Sequence, residues 1–378
     1  NLPANMFWRM EGLRTVSLPT TLIDIGDRAF YQCTGLTAID LPKGLTKING
    51  SAFAGCTGLT SVELPDSVTR IDGGAFADCT NLSSVNYPMS LNYIGQNAFI
   101  NCNKITSFVV PEGVTNLPAD MFWRMSSLRT VSLPTTLIDI GARAFYQCTG
   151  LTAIDLPKGL IKINGSAFAG CTGLTSVELP DSVTRIDGGA FADCTNLSSV
   201  NYPMSLNYIG QNAFINCNKI TSFVVPEGVT RLPANMFWRM EGLRTVSLPT
   251  TLTEIGDCAF YQCTGLSAIE FPEGLTKING AAFKGCTALT SIVFPDSLTA
   301  IKGDAFRGCT ALEGILLPRG LQTIEGHAFR DCVNLQSATV LSPFCNIANY
   351  AFSGCNSLTL YSSGASNVAL SALENGLA

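Results

Sequence analysis

Apolar residues recur along the chain in one short motif. In LTSVELPDSVTRIDGGAFADCTNL, from Leu59 to Leu82, the apolar Leu59, Val62 and Leu64 are the inward members of a strand whose outward members are Ser61 and Glu63. Pro65 ends that strand, because it has no N–H to give to a ladder. Val68 and Ile71 form a second apolar pair, Gly73-Gly74 make a turn, and Ala75, Phe76 and Cys79 follow at helical spacing. The pattern predicts one strand, one bend and one short helical or 3₁₀ turn per unit, with Phe and Cys carried inward.

The motif returns every 23 residues: proline from Pro19, Pro42 and Pro65 to Pro318, and phenylalanine from Phe7, Phe30 and Phe53 to Phe352, so that sixteen units fit. A longer period lies on top. Residues 1–115 and 116–230 differ only at Asn5/Asp120, Glu11/Ser126, Gly12/Ser127, Asp27/Ala142 and Thr46/Ile161, and a third block, 231–345, drifts after about Thr250. A unit this small cannot bury both its strand and its turn face alone, so the units must stack, with like positions forming rows about 4.8 Å apart. The expected object is a long rod with a continuous core and uninterrupted rows of Phe, Leu or Ile, and Cys. The repeats run to residue 361. Residues 362–378 carry no Phe, Pro or Cys signal and read as a C-terminal cap or linker, and a chain opening at Asn1 without an initiating Met reads as a processed or trimmed piece.

Thirteen of the fifteen cysteines stand three residues after the recurring Phe, and the position is held otherwise by Met10, Met125 and Met240. A place that takes Cys or Met behaves as a soft apolar filler. Stacked side chains point the same way rather than at one another, which favours buried free thiols, with disulfides as the alternative. Cys258 and Cys345 lie outside the row. Cys258 takes the place of Arg28 and Arg143, which points to a near-surface, oxidisable thiol.

The unit LTAIDLPKGLTKINGSAFAGCTGL, from Leu36 to Leu59, resembles the BspA-like leucine-rich repeat of the TpLRR class, and the resemblance covers residues 1 to 361. It implies an α/β repeat fold: a right-handed solenoid with a parallel β-sheet on one face and short helical or 3₁₀ turns on the other. It also implies a setting on the surface of bacteria or parasitic protists and a part in adhesion.

Composition narrows the chemistry. The chain is 46% hydrophobic and only 13% charged, the make-up of an ordered protein with a large interior. A net charge of −5 offers no field for gathering phosphates, so nucleic acid is not an expected partner. No apolar run is long enough for a membrane helix. His327 is the one histidine, so neither a Ser-His nor a Cys-His pair is available to a repeated element, and cysteines one per 23 residues are too far apart for a metal site. No catalysis, cofactor or metal is expected; an enzyme would need a pocket built from drifted residues such as His327. The Asn-Gly-Ser at Asn49 and its copy at Asn164 read as turn chemistry.

Two surfaces are left as binding candidates. The outward strand positions Ser17, Asp40, Glu63 and Asn86, repeated as Ser132, Asp155, Glu178 and Asn201, form a smooth hydroxyl- and carboxylate-bearing sheet that a protein or glycan can cover at little entropic cost. On the turn side Trp8, Trp123 and Trp238 follow the row Phe, and Tyr31, Tyr146 and Tyr261 hold the same place one unit later, so each Trp-Tyr pair is expected to lie side by side. Together these features point to a non-catalytic, extracellular or cell-surface binding protein that supports adhesion. The alternative is a structural or intracellular scaffold that spaces other modules, which free thiols in a reducing cytosol would suit.

Overall fold

The structure, a computed structural model, describes residues 1–362, and the chain divides into two compact units, Asn1–Asn201 and Tyr202–Ala378. The cap or linker expected at 362–378 lies outside the described residues, save Ser362. Both units are stacks of 23-residue coils joined through parallel strands.

Most coils contribute two short strands where the sequence pattern predicts one. In unit 1 the predicted strand of the LxxLxL segment appears as Ser61–Val62 paired with Ser84–Val85, Ser107–Val109 with Thr130–Ser132, and Ser176–Val177 with Ser199–Val200. We call these the first sheet. The Val68–Ile71 pair of the pattern belongs to a second sheet. Its strands are Asp24–Ile25, Lys47–Ile48, Arg70–Ile71 and Tyr93–Ile94, and then Asn116–Leu117, Asp139–Ile140, Lys162–Ile163 and Arg185–Ile186, every partner 23 residues on. The second sheet escaped the pattern because each of its strands is two residues long, too short to alternate visibly. The strands expected within Leu36–Leu41 and Leu151–Leu156 do not form a ladder, although Ile39 and Ile154 are buried as the pattern requires.

The turn side differs from expectation more sharply. No helix is present among the described residues. Each coil holds a residue with positive φ two positions before its Phe and another two positions after it, from Asn5 and Arg9 through Arg28 and Gln32 to Tyr350 and Gly354. A right-handed helix cannot run through left-handed residues. The chain makes linked β-turns instead, closed by Ala29 N–H on Gly26 O at 3.2 Å and Cys33 N–H on Phe30 O at 3.1 Å, with Arg28 and Gln32 at the third position, where a type II turn needs φ above zero. The intervening N–H groups reach the next coil: Phe30 donates to Ala52 O and Gln32 to Ala54 O, both at 2.7 Å. The turn side is therefore a second hydrogen-bonded wall, which satisfies the backbone without a helix.

The cysteines are free and, in the row, buried, as expected. They are more than filler. Ladder thiols donate back to the Phe carbonyl of the preceding coil, Cys56 to Phe30 O at 3.0 Å and Cys79 to Phe53 O at 3.1 Å, and the same bond is made by Cys102, Cys148, Cys171 and Cys194. Met125 and Met240 fill the same space with no S–H to give. Cys345, outside the row, is also buried, and Cys258 is half-buried at a positive φ.

The Phe row of unit 1 stacks nearly flat, with centroids 5.1 Å apart for Phe30 and Phe53 and 5.3 Å for Phe53 and Phe76. It is not uninterrupted. Between Phe99 and Phe122 stands Phe108, where other strands carry Val62 or Val131, and it meets both rings edge-on at 5.1 and 4.7 Å. In unit 2 Phe223 does the same between Phe214 and Phe237.

Unit 2 has the more continuous first sheet. Ser222–Val224 pairs with Thr245–Ser247, and Ala268–Glu270, Ser291–Val293, Gly314–Leu317, Ser337–Val340 and Thr359–Ser362 form five successive strands. The last step is 22 residues, Ser337 facing Thr359, so one residue has been lost after Leu358. The second sheet here has six strands, from Arg231–Leu232 to Asn346–Ile347.

Candidate functional site

All eight outward positions named from the sequence, Ser17, Asp40, Glu63, Asn86, Ser132, Asp155, Glu178 and Asn201, are exposed on unit 1. They lie there because the two-residue alternation that buries Val62 and Leu64, or Val177 and Leu179, turns their neighbours outward. Asp155, Glu178 and Asn201 line one open groove of about 770 Å³ with Lys158, Ser176 and Asp181. Lys158 and Asp181 lie outside the strand pattern; each follows the recurring proline of its coil, Pro157 or Pro180, so the loop brings it to the rim.

The asparagines have a structural task. The amide of Asn86 accepts from Leu64 N–H at 2.5 Å and donates to Leu64 O at 2.8 Å, and Asn201 grips Leu179 in the same way. These side-chain bonds stand where the ladder would continue beyond Ser61–Val62 and Ser176–Val177, and the two strands end there. What they leave to a ligand are the carboxylates beside them.

The charges of the two sheets are treated differently. On the second sheet several are paired: Lys47 Nζ lies 3.1 Å from Asp72 of the next coil, which Arg70 Nε of that same coil also meets at 2.6 Å, while the Arg70 guanidinium covers the Tyr93 ring at 3.9 Å. Lys162 and Arg185 meet Asp187 likewise. Burial pushes the Asp139 carboxyl up from its ordinary value, with Lys162 and Asn164 pulling the other way. On the face that continues the first sheet, Asp40, Glu63, Asp155 and Glu178 enter no ion pair among the described residues.

The aromatic pairs of the turn side come together in part. Trp123 meets Tyr146 edge-on at 5.6 Å, and Trp238 stacks on Tyr261 at 4.3 Å. Trp8, 50% exposed, has Arg9 5.5 Å from its ring, and Tyr31 is half-buried. Trp123 is occupied on another side by the Arg143 guanidinium at 5.0 Å, itself held 2.8 Å from the buried Asp120. Much of this aromatic area is therefore spent within the coil stack.

Among the described residues no group of three or more His, Cys, Asp or Glu is placed to hold a metal ion, and no helix is long and apolar enough to cross a membrane. His327 sits at a positive φ on the turn side with Tyr350 5.8 Å away.

Comparison with known proteins places this geometry. Among solved structures, the chain is similar to a leucine-rich repeat protein of Bacteroides ovatus, with 29% identity and a TM-score of 0.70 over 91% of this chain and 85% of that one. A leucine-rich repeat protein of Eubacterium ventriosum, at 20% identity, has a TM-score of 0.50 over 88% of this chain and 86% of that one, and the pneumococcal vaccine antigen PcpA, at 15% identity, has 0.53 over 96% and 86%. These two likenesses are of fold alone. No curated protein matches the chain. The model of the BspA type leucine rich repeat region matches residues 1–129, 115–244 and 233–359 in 6 copies, and with the 23-residue coil, the Phe and Cys rows and the parallel sheets it establishes that the chain belongs to the BspA-type leucine-rich repeat family.

Proposed function

We propose that the protein is a non-catalytic binding protein that presents the first sheet to a protein or glycan at a cell surface and so supports adhesion. The observation that carries this reading is the contrast between the sheets. Lys47 and Lys162 on the second sheet pair across coils with Asp72 and Asp187, whereas Asp40, Glu63, Asp155 and Glu178 stand exposed on a smooth, short-chained surface and enter no ion pair among the described residues, even with Lys158 in the same groove. Leaving carboxylates unpaired on a flat face gives up little stability and leaves hydrogen-bond acceptors for a partner. The groove at Asp155 and Glu178 is of a size that holds a small ligand or a loop. The surface setting and the adhesive role come from the family resemblance.

The test applies the intact chain to a glycan array and to a panel of immobilised extracellular-matrix proteins. The proposal expects the wild type to be retained by at least one member, and the variant Asp40→Lys, Glu63→Lys, Asp155→Lys, Glu178→Lys to lose at least tenfold of that signal. Trp8→Ala with Trp123→Ala and Trp238→Ala should keep it. Loss in the tryptophan variant alone would move the site to the turn side, and retention by neither panel would favour the scaffold reading.

A further inference from the structure

The outward row of the first sheet changes character in unit 2. Val293 stands where unit 1 has Glu63 and Glu178, and Leu316 where it has Asn86 and Asn201. Val293 is 79% exposed and Leu316 53%. The strands set them in one line, Val293 facing Leu316, Leu316 facing Thr339, and Thr339 facing Tyr361, which is 54% exposed. Folding does not call for this. The same positions carry Glu and Asn in unit 1, and large apolar side chains on the open face of a five-stranded sheet work against solubility.

The surroundings of the strip say what could cover it. A groove of about 570 Å³ beside Val293 is lined by Glu270, Glu273, Phe294 and Asp296, and Glu270 is the register partner of Val293. None of the three carboxylates enters an ion pair among the described residues, and the next charge along their loop row is Arg319, one coil beyond Asp296. A second groove of about 350 Å³ continues from Glu270 to Val224. Apolar area bordered by unpaired acids is complementary to apolar side chains adjoining Lys or Arg, whose stems also pack on such area while their heads reach the carboxylates.

We infer that the first sheet of unit 2 is a docking surface for a cationic, apolar peptide segment, a ligand chemistry different from that of the polar face of unit 1. The inference rests on the reading that the first sheet is the binding face.

The experiment measures fluorescence anisotropy of three labelled eight-residue peptides with the intact chain: alternating Lys and Leu, alternating Glu and Leu, and alternating Lys and Ser. The Lys-Leu peptide should bind at least tenfold more tightly than either of the others. Val293→Thr with Leu316→Asn should weaken it at least tenfold; Thr keeps the shape of Val, and Asn is the residue that unit 1 folds with at this position. Glu270→Gln, Glu273→Gln, Asp296→Asn should weaken it and flatten its salt dependence. Asp155→Asn with Glu178→Gln should leave it unchanged. Equal binding of the Lys-Leu and Glu-Leu peptides, no binding of the Lys-Leu peptide, or full affinity in the Val293→Thr, Leu316→Asn variant would overturn the inference. Loss only in the Asp155→Asn, Glu178→Gln variant would also overturn it while leaving the sheet face of unit 1 as a binding surface.

Discussion

Raising the pH from 9 to 11 is expected to unfold the protein cooperatively, with the thiolates appearing as the structure is lost. Burial pushes the thiols of Cys56, Cys194 and Cys309 up to about 12 from the ordinary 9.0, and it raises Cys79, Cys171 and Cys286 well above it. A folded thiol with a raised value keeps its proton where the unfolded chain gives it up. Its contribution to stability is therefore complete below pH 9 and is lost as the pH climbs from 9 toward 12. Each pH unit in that window removes about 1.4 kcal/mol per thiol. By pH 11 Cys56 and Cys194 alone have taken roughly 5 kcal/mol from unit 1 on that scale, comparable with the whole stability of a marginal domain. Thiolate absorbance near 240 nm and circular dichroism, followed together through an alkaline titration, should change in one transition. A thiolate signal that rises with an ordinary midpoint near 9 while the dichroism stays constant would show that the row is open to solvent.

Phe168→Ala is expected to destabilise unit 1 by about 3–5 kcal/mol. The ring is fully buried and lies between Phe145 at 4.9 Å and Phe191 at 5.2 Å, within 3° of parallel to each. Deleting it removes its transfer energy, opens a cavity and leaves two neighbours facing a void that the hydrogen-bonded coil walls prevent from closing. Phe168→Leu keeps most of the volume and should cost about 1.5 kcal/mol or less. Phe7 is only half-buried and has one stacking neighbour, Phe30 at 5.0 Å, so Phe7→Ala should cost less than half as much as Phe168→Ala. Urea denaturation of the three variants against wild type checks the order. Equal losses for Phe7→Ala and Phe168→Ala would mean that the row does not carry the core.

The repeat period, the inward Phe and Cys rows and the outward sheet positions were all legible from spacing, because one chemical role returns at one interval. The turn side was not. Ala75, Phe76 and Cys79 have helical spacing, but the backbone at Gly74 and Asp78 is left-handed and the turn closes differently. A signal was present: no Val, Ile or Thr occupies either of those two positions in any coil, and such side chains are the ones that a positive φ excludes. Spacing could not reveal the S–H bond from Cys56 to Phe30 either, since Met125 keeps the volume of the position without the donor. In the candidate site, Asp155 and Glu178 followed from alternation, whereas the grip of Asn201 on Leu179 depends on a side chain bending back onto the preceding coil, which no pattern of apolar residues encodes. Val293 and Leu316 were within reach of the arithmetic, lying 115 residues beyond Glu178 and Asn201, but drift in the third block masked the correspondence.

That coils stack in register and seal their thiols against the preceding turn is tested most directly by counting reactive cysteines at neutral pH without reductant. The structure predicts that the native protein reacts rapidly at Cys258 alone, the one half-buried thiol, and that all fifteen react in guanidinium chloride. Several fast-reacting thiols in the native state would contradict the stacking, and fewer than fifteen in denaturant would mean that bridges, rather than packed free thiols, hold the coils together.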